Sequence, residues 1–178
     1  MSIIEQIKKA EKISLSEDDI RTLVDNKVEI HAYQDLEKYN NIDDVLGQHG
    51  ACILLYQTAE DYGHWVSLFK VDDNLLEFFD SLGWQMDQEL KFSEYNIRRH
   101  GGEAIPHLTD LINNSNYKVI SNTVQLQKNA KDDNTCGRWA SLRVRLRHLS
   151  LKTFVKLFSD KTHFDPDFWV SAVTIFFS

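Results

Sequence analysis

The chain has 178 residues, of which 42% are hydrophobic and 26% charged, and its formal net charge is −7. This length predicts one domain with a real core, and the composition excludes a disordered or collagen-like chain. The sequence offers neither a membrane span nor a signal peptide, so we expect no membrane partner and no secretion. Two cysteines cannot build a disulfide framework, and the acid excess argues against a surface that grips nucleic acid.

The first fifty residues are predicted to be helical and polar. Four apolar side chains share one face at helical spacing: Ile3, Ile4, Ile7 and Ala10. A second helix is predicted to begin at Ser16, which can cap it together with Asp19 three positions on. Gly47 and Gly50 indicate a turn before the next element.

The middle of the chain predicts strands. Residues 51–56 form an apolar run that is typical of a buried strand. Residues 64–71 alternate between two faces, residues 72–74 have turn composition, and residues 75–80 return as a partner strand. We therefore expect an antiparallel hairpin over residues 64–80.

The remainder alternates helices with one strand. A helix is predicted from residue 102 to residue 114, a strand over 117–120 and a polar loop over 127–135. A long helix should begin at Cys136, and the last helix should begin at Asp165–Pro166 and pack against the body.

We expect one domain over residues 1–178. Its parts would be a helical N-terminal region over about residues 1–50, a catalytic core over about 51–150 and C-terminal helices over about 151–178.

Cys136 lies where a polar loop meets an apolar helix. A cysteine at a helix N-terminus feels the helix dipole and unpaired N–H groups, which favour the nucleophilic thiolate. The competing interpretation is a small residue that packs well there. Gly137 next to it would let a substrate backbone approach closely. Cys52, inside an apolar strand, is expected to be inert.

His64 and Asp80 begin and end the predicted hairpin, so they should be near neighbours in space. A carboxylate beside an imidazole can accept its N–H, fix its tautomer and stabilise its charged form. Asp80 alone would equally suit a turn residue that caps the following loop. The pairing of the two residues favours a general base with its orienting acid.

Acyl transfer also requires donors for the developing oxyanion. The backbone N–H of Cys136 is one candidate, and a side-chain amide from the preceding loop is the other. Gln127 lies nine residues before Cys136, and Gln125 competes with it for the role.

These residues, in the order His64-Trp65, Asp80-Ser81-Leu82-Gly83, Gln127 and Cys136-Gly137, resemble the adenain and ubiquitin-like-protein protease clan of cysteine peptidases. Within this clan the sequence resembles the small capsid-maturation proteases of virophages, Maverick-type elements and other large DNA viruses. The resemblance implies an α+β papain-like or adenain-like fold, with the nucleophile at the N-terminus of a central helix on a mixed sheet. It further implies that His64 is the base, Asp80 its orienter, Cys136 the nucleophile and Gln127 the oxyanion donor, with Trp65 bordering the substrate channel.

From this resemblance we expect a thiol endopeptidase that cuts viral capsid or other structural precursors at Gly-containing sites during virion maturation. The protein would act in the virion and the host-cell viral factory, as a monomer and without a cofactor or metal. The alternatives are a deconjugating protease for ubiquitin-like modifiers, an acetyltransferase of the same clan and an inactive binding module.

A basic stretch follows Cys136 and invites comparison with DNA-stimulated members of the clan: Arg138, Arg143, Arg145, Arg147, His148 and Lys152. Positive charge late in a helix also complements the helix dipole, and the net charge of −7 disfavours a DNA or peptide activator. A smaller cluster over residues 98–100 is expected to be a solvated loop.

Overall fold

A computed structural model describes residues 1–59, 62–95, 104–159 and 163–177. The fold is α+β and is built on a five-stranded mixed sheet whose spatial order follows the chain. The strands are β1 (Glu29–Ala32), β2 (Ala51–Ala59), β3 (Tyr62–Asp72), β4 (Leu75–Phe79) and β5 (Lys118–Ser121). The helices are α1 (Ile3–Ala10), α2 (Glu17–Leu23), α3 (Ile42–Leu46), α4 (His107–Asn113), α5 (Cys136–Arg145), α6 (Leu151–Ser159) and α7 (Pro166–Thr174), with 3₁₀ helices at Tyr33–Lys38 and Gln88–Lys91.

The centre of the sheet is antiparallel and both of its outer pairs are parallel. β2 pairs with β3 and β3 with β4 in antiparallel register, whereas β1 runs parallel to β2 and β5 parallel to β4. The predicted hairpin is confirmed, and its turn is closed by the backbone N–H of Asn74, which donates to Asp72 Oδ1 at 2.8 Å. The mixed sheet of the expected fold class is therefore present.

The N-terminal caps follow the predicted pattern. Ser16 and Asp19 form a reciprocal capping box at the start of α2, with Ser16 N–H donating to Asp19 at 2.8 Å. In α1, Ile7 and Ala10 are buried, but Ile3 and Ile4 remain partly exposed. The apolar spacing thus predicted the helix correctly, while only its second half reaches the core.

The prediction that the first fifty residues are helical is wrong at Glu29–Ala32, which forms β1. Its four residues are exposed or half-buried and show no strict alternation, so the strand has no local signature. The pairing with Cys52–Leu55 of the buried β2 determines its conformation.

The helix predicted over residues 102–114 is shorter at its start. Residues 102 and 103 lie outside the described residues, and within the described part α4 begins at His107. Pro106 explains the late start, because proline disfavours helical conformation in the residue before it and lacks an N–H.

Helix α5 crosses the sheet and is held there by a buried ion pair. Arg143 is fully buried and donates from Nε and Nη2 to both carboxylate oxygens of Glu77 in β4, at 2.7 and 3.0 Å. Its guanidinium also donates to the carbonyl oxygens of Leu146 and Leu149. The charge of each partner is thus neutralised inside the core.

The basic stretch after Cys136 is not a continuous surface patch. Arg143 lies in the ion pair, and Arg138 is buried and donates to Thr174 Oγ1 at 3.0 Å. Arg145 donates to Asp25 and stacks on Phe177. These three arginines therefore bind partners within the protein, which explains their positions without an external anion. The second basic cluster, at residues 98–100, lies outside the described residues.

Every helix in the described ranges is too short or too polar to cross a bilayer.

Replacing Arg143 by Met is expected to lower the free energy of unfolding by about 3–5 kcal/mol, because it leaves Glu77 buried without its counter-charge. Urea unfolding followed by circular dichroism measures the change. Arg21→Ala removes an exposed ion pair with Glu17 and should change stability little. Equal, small losses in the two variants would contradict the role given to the buried pair.

Candidate active site

The hairpin places a histidine against an aspartate at its open end. His64 lies in β3, and Asp80 follows β4 directly; the register Ser67↔Phe79 brings the two close together. His64 Nε2 and Asp80 Oδ1 are 2.9 Å apart, and both side chains are buried. Asp80 Oδ1 also accepts the N–H of Leu82 at 2.7 Å. The carboxylate therefore acts in both of the ways considered from the sequence, as a turn residue and as the partner of the imidazole.

Cys136 is the first residue of α5 and its thiol is free and partly accessible. The Cys136 sulfur lies beside the His64 ring, close enough to affect its charge, and both side chains line one cleft. Burial opposes a charged ring, but Asp80 and Cys136 outweigh it and raise the pKa of His64 well above its usual value. Since Asp80 occupies Nε2, the other ring nitrogen is the one available to the thiol. Asp80, His64 and Cys136 therefore form a relay in which a positively charged ring lies beside the sulfur.

Cys52 lies in β2, is fully buried, and burial raises the pKa of its thiol. This environment keeps it protonated, in agreement with the expectation that Cys52 is inert.

Gln127 lines the same cleft as Cys136 and His64, and its side chain is oriented by Ser81. The Ser81 hydroxyl donates to Gln127 Oε1 at 2.7 Å, so the amide NH₂ remains for a group in the cleft. Gln125 instead donates its amide to the backbone oxygen of Gln127 at 3.0 Å. Of the two glutamines, the geometry favours Gln127 as an oxyanion donor.

Trp65 lines the cleft, whose volume is about 400 Å³, and Gly137 packs against Trp65. Trp65 also donates its indole N–H to the Leu15 carbonyl at 3.3 Å. Gly137 is buried against the protein itself: a Cβ there would lie 3.2 Å from both Leu15 and Trp65. The absence of a side chain at Gly137 thus lets α5 pack closely against Leu15 and Trp65. A contact between Gly137 and a substrate stays a prediction.

Glu89 is a cleft residue that the sequence gave no reason to select. Its carboxyl belongs to a group with His64 and Asp80 whose ligand atoms all lie within 4.8 Å of one another, and its Oε2 is buried without a hydrogen-bond partner. Burial raises the pKa of Glu89 to about 7. These three residues offer the atoms that a metal ion could use, but the imidazole is already engaged by Asp80 and the thiol, so we assign the cluster to proton chemistry.

A second pair of carboxyl groups, Asp133 and Asp167, contacts Thr135, the residue before Cys136. Asp167, at the start of α7, is fully buried, and the Thr135 hydroxyl links it to Asp133, lying 2.8 Å from Asp133 Oδ1 and 2.6 Å from Asp167 Oδ1. A hydroxyl has one hydrogen and cannot donate to both carboxylates, so the cluster has room for a further proton. Burial and then Asp167 raise the pKa of Asp133 to about 7. The sequence marked this helix start only by its Asp165 cap, because the partners of Asp167 come from distant segments.

The fold and the cleft together define an α+β protein in which a cysteine, a histidine and an aspartate meet beside a glutamine amide. No protein-family model matches the sequence. The chain is 41% identical over 175 residues to the "Uncharacterized protein V9" of Sputnik virophage, a match that covers 97% of this chain and 100% of the relative. The chain therefore belongs to the family of this virophage protein.

Replacing His64 by Ala is expected to slow alkylation of Cys136 by iodoacetamide at pH 6 by about tenfold or more, because an unassisted thiol has a pKa near 8.5. The raised pKa of His64 keeps the ring protonated through neutral pH, and a positive ring stabilises the negative sulfur that reacts. The advantage of the native protein should disappear as the pH rises past about 8.5, where an unassisted thiol ionises by itself. Mass spectrometry of carbamidomethylated protein from pH 5 to 10 measures both rates.

Cys136→Ser is the control for this alkylation, because it leaves only the buried Cys52 as a thiol. Identical pH–rate profiles for the native protein and His64→Ala would contradict a functional pair.

Proposed function

We propose that the protein is a cysteine endopeptidase that processes viral structural precursors. The observation that carries the proposal is the hydrogen bond between Asp80 and His64, with the Cys136 sulfur beside the same ring at the head of α5, in a cleft that also holds the Gln127 amide. A nucleophile, a base in contact with it and a third group that orients the base are the parts that acyl transfer requires. We further propose that the α+β fold is papain-like.

In the proposed mechanism His64 takes the proton of Cys136, and the sulfur attacks the carbonyl carbon of the substrate peptide bond. The carbonyl oxygen becomes an oxyanion that accepts hydrogen bonds from the Gln127 amide and the Cys136 N–H. The C–N bond then breaks as His64 returns the proton to the leaving amine. Water, deprotonated by His64, attacks the thioester and releases the acid and the free thiol.

The proposed substrate class rests on the virophage relationship and on the resemblance described above. A virophage-family protein with a peptidase cleft is suited to cutting capsid or other structural precursors, at Gly-containing bonds, in the viral factory or the virion. We propose that it acts as a monomer. The deconjugating, acetyltransferase and inactive-scaffold alternatives share the fold and are separated by the experiments below.

Cys136→Ala is expected to abolish cleavage of a co-expressed virophage major capsid protein while leaving the circular dichroism spectrum unchanged, because it removes only the sulfur. Mass spectrometry of the capsid protein with and without each variant measures cleavage. Cys52→Ala, which changes the buried thiol, is the matched control and should still cleave. Undiminished cleavage by Cys136→Ala would retire the proposal.

Three further measurements distinguish the alternatives. Cleavage of ubiquitin-like fusions but not of capsid protein would favour the deconjugating protease. Release of free CoA from acetyl-CoA would favour the acetyltransferase. A Cys136 thiol that no peptide electrophile labels would favour the binding module.

Gln127→Ala is expected to lower kcat by about 10²–10³, because one donor to the oxyanion is lost. Gln125→Ala removes an equal side chain from the same loop and should have a much smaller effect. Steady-state kinetics on a peptide that spans the mapped cleavage site measures both. The reverse order of the two losses would transfer the oxyanion role to Gln125.

A further inference from the structure

We propose that Asp167 is a positioning residue that sets the width of the oxyanion hole. This inference rests on the proposed function. Gln127 lies on a loop and Cys136 begins α5, so a further contact is needed to hold the two at a fixed separation.

The Asp167 carboxylate receives donors from both sides of the hole. The backbone N–H of Lys128, the residue after Gln127, donates to Asp167 Oδ2 at 2.8 Å. The Thr135 hydroxyl, from the residue before Cys136, and the Trp139 indole, from the first turn of α5, contact Oδ1 at 2.6 and 2.8 Å. One buried carboxylate thus ties the residue next to the amide donor to both sides of the nucleophile.

The other side of the glutamine loop is held by Ser81. The backbone oxygen of Ser81 accepts the N–H groups of Leu126 and Gln127, at 2.8 and 2.9 Å, and its hydroxyl orients the Gln127 amide. Ser81 directly follows Asp80, so the loop is fixed between the end of the hairpin and the start of α7. If the tie to Asp167 is removed, the hairpin side remains together with an exposed ion pair between the Lys128 side chain and Asp165, which stabilises little.

The oxyanion hole is the feature most sensitive to such a loss. Hydrogen-bond donors stabilise the transition state only when they lie about 3 Å from the position of the oxyanion, so a small shift of the loop reduces their effect. The His64–Cys136 pair depends on β3 and the head of α5, and it does not depend on the glutamine loop. A purely structural Asp167 would affect both functions alike.

Asp167→Asn separates these possibilities. The amide oxygen is expected to face the Trp139 indole, which can only donate, and the amide NH₂ then faces the Lys128 N–H and breaks that tie. Asp165→Asn is the matched control: it is the same change at the same helix start, Asn caps helices as well as Asp does, and it removes only the exposed ion pair of the Lys128 side chain.

Two probes report on the two functions. Iodoacetamide alkylates Cys136 by displacement of iodide, which forms an S–C bond without an oxyanion. A peptide aldehyde ending in Gly-Gly instead adds the Cys136 thiol across its C=O bond, and the sulfur bonds to carbon while the oxygen takes the negative charge and then the proton from His64. Only the aldehyde therefore depends on the hydrogen-bond donors of the oxyanion hole.

We expect Asp167→Asn to weaken aldehyde binding and to lower kcat for precursor cleavage, each by about tenfold to a hundredfold, with the alkylation rate within twofold of the native protein. The double variant Asp167→Asn/Gln127→Ala should lose no more than Gln127→Ala alone, because both act on one donor. Asp165→Asn should behave like the native protein.

Equal losses in alkylation and aldehyde binding, no loss in either, or additive losses in the double variant would overturn the positioning role while leaving the peptidase intact. A native protein that neither binds the aldehyde nor cleaves the precursor would instead overturn the proposed function, and this inference with it. If Asp167→Asn does not fold, Trp139→Phe removes one donor from the helix side, and the same split between the two probes is required.

Discussion

The ion pair between Arg143 and Glu77 fixes where α5 lies on the sheet, and the cleft depends on that placement. Glu77 belongs to β4, the strand that ends just before Asp80, and Arg143 lies two turns along the helix that Cys136 begins. One interaction therefore sets the relative position of the elements that carry the acid and the nucleophile. The same guanidinium lies near the rings of Phe69 and Phe154, so charge pairing and aromatic packing locate the helix together.

The cleft concentrates carboxyl groups around a single imidazole. Asp80 contacts the ring, Glu89 lies within 4.8 Å of it, and Asp133 lines the cleft on the side of the nucleophile. The pKa values of Glu89 and Asp133 are both raised to about 7, so less negative charge accumulates in the cleft that holds the Cys136 sulfur. Of these three carboxyl groups, Asp80 is the one that hydrogen-bonds to the His64 ring. Asp80 thus stabilises the charged ring, whereas the raised pKa values of Glu89 and Asp133 limit the negative charge around it.

Local patterns predicted the parts of the fold whose partners are near in sequence. The hairpin joins His64 to Asp80 through one short turn, so alternation and turn composition were sufficient to bring them together. β1 could not be found in this way because Cys52–Leu55, its pairing partner, lies beyond a 3₁₀ helix and α3. Gln125 and Gln127 could not be separated because an irregular loop has no period, and Asp167 has no sequence signature because its donors come from two distant segments.

The position of α7 in the chain has a consequence for biosynthesis. A ribosome produces the relay residues and the glutamine loop before Asp167, so a nascent chain contains the reactive thiol before the carboxylate that joins loop to helix. If the protein is the proposed peptidase and Asp167 holds the oxyanion hole, the emerging polypeptide has its nucleophile before it can catalyse cleavage. The order of translation would then delay activity until α7 has folded against the rest of the chain.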